Sequence, residues 1–461
     1  MVENRILSHT QSLCPICLRV IPAVRLAVGD DVFMEKTCPE HAGFRTLIWR
    51  GLPSYDQWGV GEEVAGADIV NRESLYGCPY DCGLCSAHKS PTCTVLLEVT
   101  ERCNLRCPVC FAEAGESFGA DPTIGAIKAI LETLIDSGGP VPLQLSGGEP
   151  TVRDDLPQIV AFAKALGFGH VQINTNGVRI AHDRDYLKKL QAAGADLIYL
   201  QMDGVSDEVN KTIRGAYLAR IKLQALSNCV EVKIGVQLVP TIIRGVNDHE
   251  IGAVIDLAKS YIPVVKGVHF QPISYFGRYN VAPSDEHRET IPDLLRALET
   301  QTAGEIGVKD FAPRRQRDAH CGFSAFYILN EDGRLKPTTR FRNQTGDPAP
   351  KPKCSLTPAE HVRRFITERS RYQEESKDCG CKSSNCTSSS LERWETHGFS
   401  ISGMPFMDVW TVDLERLRGC CVHTAKSDGR IIPFCANYLT SASGIRLSGM
   451  DMERTRMVKY A

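Results

Sequence analysis

Thr94-Val-Leu-Leu-Glu-Val-Thr-Glu-Arg-Cys103-Asn-Leu-Arg-Cys107-Pro-Val-Cys110 joins a short apolar run to three cysteines at a Cys-x3-Cys-x2-Cys spacing. Residues 94–99 read as a buried strand that runs directly into the cysteine loop. Strand and helix patterns then alternate. Residues 142–146 are extended and lead into the turn Gly147-Gly148-Glu149-Pro150, and residues 154–166 carry helical periodicity. Residues 171–177 form a strand with Asn176 near its polar tip, and residues 198–202 form another that ends at Asp203-Gly204. A strand over 233–240, a helix over about 248–260 and a strand over 268–273 follow. Six strands alternating with helices predict parallel βαβ units, hence an α/β fold. Polar residues just past strand ends are where α/β barrels place their sites.

The rest of the chain is dominated by cysteine. Its 461 residues include 19 Cys, and about 150 residues per domain suggests roughly three units. Hydrophobic residues make up 43% and charged residues 23%, the composition of a globular protein with a real core. Lys and Arg (53) nearly balance Asp and Glu (55), which argues against a chain built for nucleic acid. Residues 1–13 lack the apolar core of a signal peptide, and no run approaches the ~18 apolar residues of a membrane span. A cytoplasmic location is therefore expected. Reduced thiols at tight spacings then read as metal sites rather than the disulfides of a secreted protein.

Cys14-Pro-Ile-Cys17 and Cys38-Pro-Glu-His41 form two knuckles, each offering two ligands to one tetrahedral ion, Zn or a rubredoxin-like mononuclear iron. The competing reading is three unrelated buried thiols. Cys78-x3-Cys82-x2-Cys85 repeats the spacing of the later triad, and Cys93 supplies a fourth thiolate that closes a [4Fe–4S] cluster suited to electron transfer. The triad Cys103, Cys107 and Cys110 has no such neighbour, the next cysteine being Cys229, so one iron of its cluster stays open to an outside ligand. Either triad alone also fits zinc; two in tandem favour cluster chemistry. Six more cysteines lie between 379 and 435, and Cys381, Cys386, Cys421 and Cys435 are the expected ligands of a third cluster. Cys229, Cys321 and Cys354 stand apart. The basic run at 313–317 and the Pro-rich stretch at 348–352 read as connection, with a strand over 326–329 between them.

Cys103-Asn-Leu-Arg-Cys107-Pro-Val-Cys110 followed by Gly147-Gly148-Glu149-Pro150 resembles the radical S-adenosylmethionine (SAM) superfamily. The resemblance implies a partial (βα)6, TIM-like barrel over residues 94–303. It implies SAM on the open iron and reductive cleavage of SAM to a 5′-deoxyadenosyl radical. Gly147, Gly148, Glu149 and Pro150 would hold the methionine amino group. Asn176 and Asp203 fall where the family contacts nucleoside or carboxylate, and Gln237 and Gln271 are further candidates. Val109 stands where an aromatic residue is common, which leaves Phe111 to pack on the adenine. The order of features along the whole chain is similar to a subgroup that includes archaeal tetraether lipid synthase and cobalamin-independent pterin methylases. Residues 1–70 would then form the metal-knuckle domain, 71–93 an auxiliary-cluster segment, and 304–461 a cysteine-rich C-terminal extension flanking the barrel.

That likeness implies C–C bond formation, by alkyl coupling or methylation, on a lipid or small molecule. The electron would come from a donor such as a ferredoxin or flavodoxin. Val, Leu and Ile of the barrel wall are expected to shield the radical. A lipid substrate would require an apolar tunnel or peripheral membrane contact; residues 124–135 are apolar at helical spacing, but core packing explains them better. Two alternatives are a maturase acting on a ribosomal peptide and a protein whose clusters only carry electrons. The open triad and the Gly-Gly-Glu-Pro turn argue against the second.

Overall fold

The first elements form an antiparallel meander of four strands in the order β1-β2-β3-β4: β1 (Asn4–Leu13), β2 (Val20–Val28), β3 (Asp31–Thr37) and β4 (Gly43–Trp49). The β1–β2 and β3–β4 connections carry the two metal knuckles, so the strand pairing itself brings the four ligands together. The computed structural model describes residues 4–59, 76–80, 82–83, 85–115, 120–280, 282–313, 318–338, 367, 371–373, 393 and 395–449. The expected ligands Cys381 and Cys386, with Cys354, Cys379 and the 348–352 stretch, lie outside them.

The second sheet is built on the predicted alternation. Strands β5 (Thr94–Thr100), β6 (Leu143–Gly147), β7 (Val171–Thr175), β8 (Leu197–Gln201), β9 (Gly235–Val239) and, after the two-residue β10 (Thr241–Ile242), β11 (Val265–Pro272) run parallel. Helices such as α2 (Ile124–Gly138) and α3 (Leu156–Ala165) cross between them. Right-handed βαβ crossovers place such helices on the convex face. Thr123 caps α2 by accepting from Ala126 N–H, and its buried stripe Ile127, Ile130, Leu131 and Leu134 sits in the same apolar core as Val95, Leu97 and Leu145. The core reading of residues 124–135 therefore holds.

The C-terminal extension flanks the barrel by continuing its sheet at both edges. After β12 (Ala312–Pro313), β13 (Phe323–Leu329) and β14 (Leu335–Pro337), strand β15 (Gly398–Gly403) pairs parallel with β11. Strand β16 (Val422–Ala425) pairs parallel with β5 at the opposite edge and hairpins with β17 (Ile431–Pro433). Eight parallel strands thus run in the order β15-β11-β9-β8-β7-β6-β5-β16. Residues 404–421 span from one edge to the other. The ribbon rests on this span: Ser12 Oγ donates to the Val412 carbonyl (2.5 Å), Arg25 Nε to Asp413 (2.8 Å) and Lys36 Nζ to the Val409 carbonyl (2.8 Å).

The alternation within the strands corrects the expected apolar lining. Val95, Leu97, Leu145, Ile173, Leu200, Val236, Leu238 and Phe270 belong to the core shared with the helices, on the convex face. With a period of two, their neighbours face the concave side. Those neighbours are mostly polar: Glu98, Ser146, Asn174, Tyr199, Gln201, Gln237 and His269. The barrel's Val, Leu and Ile seal its outside, and its lumen is lined by amides, hydroxyls and an imidazole.

Candidate active site

The three cysteines of the open triad occupy the loop that leaves β5, held by contacts that sequence reading did not identify. Arg278 binds this loop three ways: backbone exchange with Cys110 (2.8 and 3.0 Å), Nε to the Cys107 carbonyl (2.8 Å) and Nη2 to the Ala114 carbonyl (3.0 Å). Arg214 Nη1 donates to the Val109 carbonyl at 2.9 Å. Leu105 N–H donates to Cys103 Sγ at 3.4 Å. Burial pushes the Cys103 thiol up to about 12 and also raises that of Cys107. Such thiols ionise when a cation compensates the charge, as cluster iron does. Three cysteine thiols on one loop held by Arg214 and Arg278 are a donor set that would fit a three-thiolate cluster.

The Gly147-Gly148-Glu149-Pro150 turn packs directly under this loop. Gly148 N–H donates to the Thr100 carbonyl (2.8 Å) and Glu149 N–H to the Arg102 carbonyl (2.9 Å). A Cβ on Gly147, whose φ is +126°, would lie 2.1 Å from the Thr100 oxygen, and one on Gly148 would lie 2.2 Å from the Arg102 oxygen. Only glycine lets the two backbones approach this closely. Glu149 is 1% exposed. Its carboxylate accepts from Thr151 N–H (3.0 Å), Thr151 Oγ1 (2.6 Å), Thr175 Oγ1 (2.7 Å) and Asn176 N–H (2.6 Å). Burial raises its pKa and these donors oppose the rise. Glu149 thus ties the turn to the tip of β7, where the Asn176 amide donates to Asn104 of the cysteine loop at 2.7 Å.

Asp203, at the tip of β8, has a fully buried carboxylate already committed to protein donors. Arg214 binds it bidentately (2.6 and 2.8 Å), Thr241 N–H donates at 2.9 Å, and the Gln201 amide also donates. Its role here is to fix the Arg214 guanidinium that grips the Val109 carbonyl. Lys222 Nζ lies beneath, donating to the Asn176 carbonyl (2.6 Å) and to Gln201 Oε1 (2.7 Å). Gln237 and Gln271 lie on β9 and β11, with Gln237 buried and Gln271 partly open. Phe111 is 37% exposed and stands edge-on to Tyr438, ring centres 5.0 Å apart.

In the ribbon, Cys14 Sγ and Cys38 Sγ lie 3.6 and 3.4 Å from His41 Nδ1, and Cys17 Sγ lies 3.9 Å from Cys38 Sγ. Tetrahedral coordination at ~2.3 Å for sulfur and ~2.0–2.1 Å for nitrogen requires separations of about 3.8 Å and about 3.5 Å. The residues fit an ion of zinc size without rearrangement. Among the described residues this is the one group of His, Cys, Asp and Glu close enough to share a single ion.

The segment carrying Cys78, Cys82, Cys85 and Cys93 packs against the C-terminal cysteines. Cys82, Cys93, Cys421 and Cys435 share one buried cluster with Leu96, Met407 and Phe434, and Cys93 N–H donates to the Cys421 carbonyl at 2.8 Å. The sequence assigns these thiols to two separate sites; in the fold Cys82, Cys93, Cys421 and Cys435 border one apolar cluster beside β5 and β16. Cys229 is buried in the convex core, where burial raises its thiol to about 12, with no other ionisable group contributing.

Residues 97–258 match the radical SAM superfamily, and residues 6–50 match the HMPTM N-terminal zinc ribbon domain. The 7,8-dihydro-6-hydroxymethylpterin dimethyltransferase of Methanocaldococcus jannaschii is 38% identical over 478 residues, covering 92% of this chain and 92% of its own length. The Fe-coproporphyrin III synthase of Methanosarcina barkeri is 35% identical over 198 residues, covering 42% of this chain and 46% of its own. Among solved structures, Streptococcus suis SuiB bound to S-adenosylmethionine aligns with 47% of this chain and 48% of its own at 16% identity and a TM-score of 0.38.

Proposed function

The chain belongs to the radical SAM superfamily, and from that membership we propose that it methylates carbon on a reduced pterin. The observation that carries this reading is the likeness to the pterin dimethyltransferase, which runs through ribbon, barrel and extension rather than the barrel alone. The lining of the lumen supports it. Amides, hydroxyls and a carboxylate suit a nitrogen-rich heterocycle and offer poor company to an alkyl chain, which has no hydrogen bonds to give them. No helix among the described residues is long and apolar enough to cross a membrane.

Cys103, Cys107 and Cys110 would hold the cluster, with its open iron left for SAM, and the bound group would supply one-electron reductive chemistry on SAM. The chain's own residues prepare this chemistry. Arg278 and Arg214 hold the cysteine loop by its carbonyls, so the loop that would carry the cluster is fixed by two partly buried side chains as well as by its own backbone. Asp203 serves as the positioning residue for Arg214. Gly147 and Gly148 bring the turn that would receive the SAM amino group against the same loop, and Asn176 with Asn104 closes the side toward β7. Cys78, Cys82, Cys85 and Cys93, with Cys421 and Cys435 in the same apolar cluster as Cys82 and Cys93, would provide thiolates for auxiliary clusters, whose chemistry would be electron transfer.

The test is anaerobic incubation of the reconstituted protein with excess SAM, a low-potential one-electron donor and 7,8-dihydro-6-hydroxymethylpterin. Because SAM cleaved to 5′-deoxyadenosine leaves as methionine with its methyl intact, the methyl must come from a second molecule, either another SAM or a reduced one-carbon carrier added in a parallel arm. Mass spectrometry should find the pterin heavier by one or two methyl groups. Formation of 5′-deoxyadenosine with the pterin mass unchanged would refute the substrate while leaving the superfamily chemistry intact.

A further inference from the structure

One ring of lumen-facing residues lies a single step below the Gly-Gly-Glu-Pro turn, and its composition is unusual for a barrel wall. Strand register puts Glu98 opposite Ser146, Asn174 opposite Tyr199, Tyr199 opposite Gln237, and Gln237 opposite Gly267. Ser146 directly precedes Gly147, so this ring is the first layer beneath the place the turn assigns to SAM. Glu98 is its carboxylate. It accepts from Tyr438 Oη at 2.8 Å and lies 3.6 Å from Lys426 Nζ, yet its side chain remains 27% exposed. Two contacts leave a carboxylate with unused acceptor positions. Across the ring, the Gln237 side-chain nitrogen is buried with no hydrogen-bond partner, in a residue only 9% exposed. A buried amide donor without an acceptor is costly unless a ligand supplies one.

From this pairing we infer that the ring reads the pyrimidine half of the substrate, and that Glu98 determines specificity for its 2-amino group. The inference rests on the pterin reading above. A 2-amino-4-oxo-pyrimidine presents two adjacent N–H donors on one edge and a carbonyl oxygen on the next. The donor pair matches a carboxylate in the same forked geometry as a guanidinium, and the carbonyl matches the unspent amide of Gln237. Replacing the 2-amino group by oxygen would set a carbonyl against the Glu98 carboxylate. A site built around a substrate donor discriminates strongly against such an analogue.

The experiment is equilibrium binding, under anaerobic conditions and with SAM present, of 7,8-dihydro-6-hydroxymethylpterin and of its lumazine counterpart carrying 2-oxo. Wild-type, Glu98→Gln and Gln237→Leu holoproteins are compared after iron content and visible absorbance are matched. The native protein should prefer the pterin by roughly 10- to 100-fold, the range expected for hydrogen bonds to a charged group. Glu98→Gln should lose that preference. Gln237→Leu should weaken both ligands while keeping the preference, because both retain the 4-oxo group. Equal binding of the two ligands by the native protein, or discrimination surviving in Glu98→Gln, would overturn the role of Glu98. Failure of the native protein to bind either ligand would instead overturn the pterin reading, and this inference with it.

Discussion

Replacing Asp203 by Asn should destabilise the barrel by about 3–5 kcal/mol, the usual consequence of leaving one member of a buried ion pair without its partner. The geometry places the pair in that class. The Asp203 side chain is 0% exposed and that of Arg214 is 10% exposed, with two charge-assisted hydrogen bonds of 2.6 and 2.8 Å between them. Asn keeps the shape and can still accept from Thr241 N–H, so the change isolates the charge. For a unit the size of residues 94–303, each kcal/mol corresponds to roughly 2–4 °C in Tm, giving a fall of about 6–20 °C. Anaerobic thermal unfolding followed by circular dichroism, with visible absorbance tracking the cluster, reads both effects. Cluster loss should precede global unfolding, because Arg214 also holds the Val109 carbonyl between two ligands. The decisive comparison is Asp203→Asn combined with Arg214→Met. Removing the stranded cation should recover a substantial part of the loss even though two further Arg214 hydrogen bonds, to the Val109 carbonyl and Thr241 Oγ1, disappear. A Tm fall under about 2 °C for Asp203→Asn, or a double variant that loses the full sum of the single losses, would refute the reasoning.

Gly148→Ala forces a methyl group against the Arg102 carbonyl, and overpacking of this kind costs about 1–3 kcal/mol; iron analysis should show preferential loss of the cluster on Cys103, Cys107 and Cys110. Cys38→Ser removes one of four tetrahedral ligands, so metal analysis should find about one zinc-sized ion fewer per chain, with residues 6–50 becoming protease-sensitive, since structural zinc sites contribute about 10–16 kcal/mol to their folded state. Lys222 gives a pH signature. Burial lowers its ammonium to about 8, whereas the unfolded chain keeps the proton up to about 10.4. Between those values the unfolded state binds more protons, so this group makes stability rise with pH across that window and contributes no slope below it. The stability difference between the native chain and Lys222→Met should follow that curve, and a difference flat across the window would count against it.

Local pattern revealed the six barrel strands because each is an apolar run with its own turn signal, and it revealed the ribbon's metal site because the spacing of Cys14, Cys17, Cys38 and His41 is itself the ligand geometry. What it could not reveal is carried by distance along the chain. Strand β16 is four residues, Val-His-Thr-Ala, buried throughout and without alternation, and β15, Gly-Phe-Ser-Ile-Ser-Gly, alternates over only four residues between two glycines, too short a signal to mark a strand in isolation. They become strands by offering backbone to the open edges of β5 and β11, a long-range pairing with no local signature. Arg214 and Arg278 were equally silent, since an arginine in a helix or after a strand reads as solvent-facing until a carbonyl is found opposite it.

The polar lumen was legible in principle. Gln172-Ile-Asn174, Tyr199-Leu-Gln201 and His269-Phe-Gln271 all alternate, but an expectation of strands buried on both faces hides a period of two inside a hydrophobic run. Reading the second face matters for function more than any cysteine does. The cysteines and the glycine-rich turn are what any member of the superfamily needs to generate a radical. The alternate residues of the strands line the lumen, and here they present a carboxylate and amides; under the pterin reading proposed above, these are the side chains that choose the molecule.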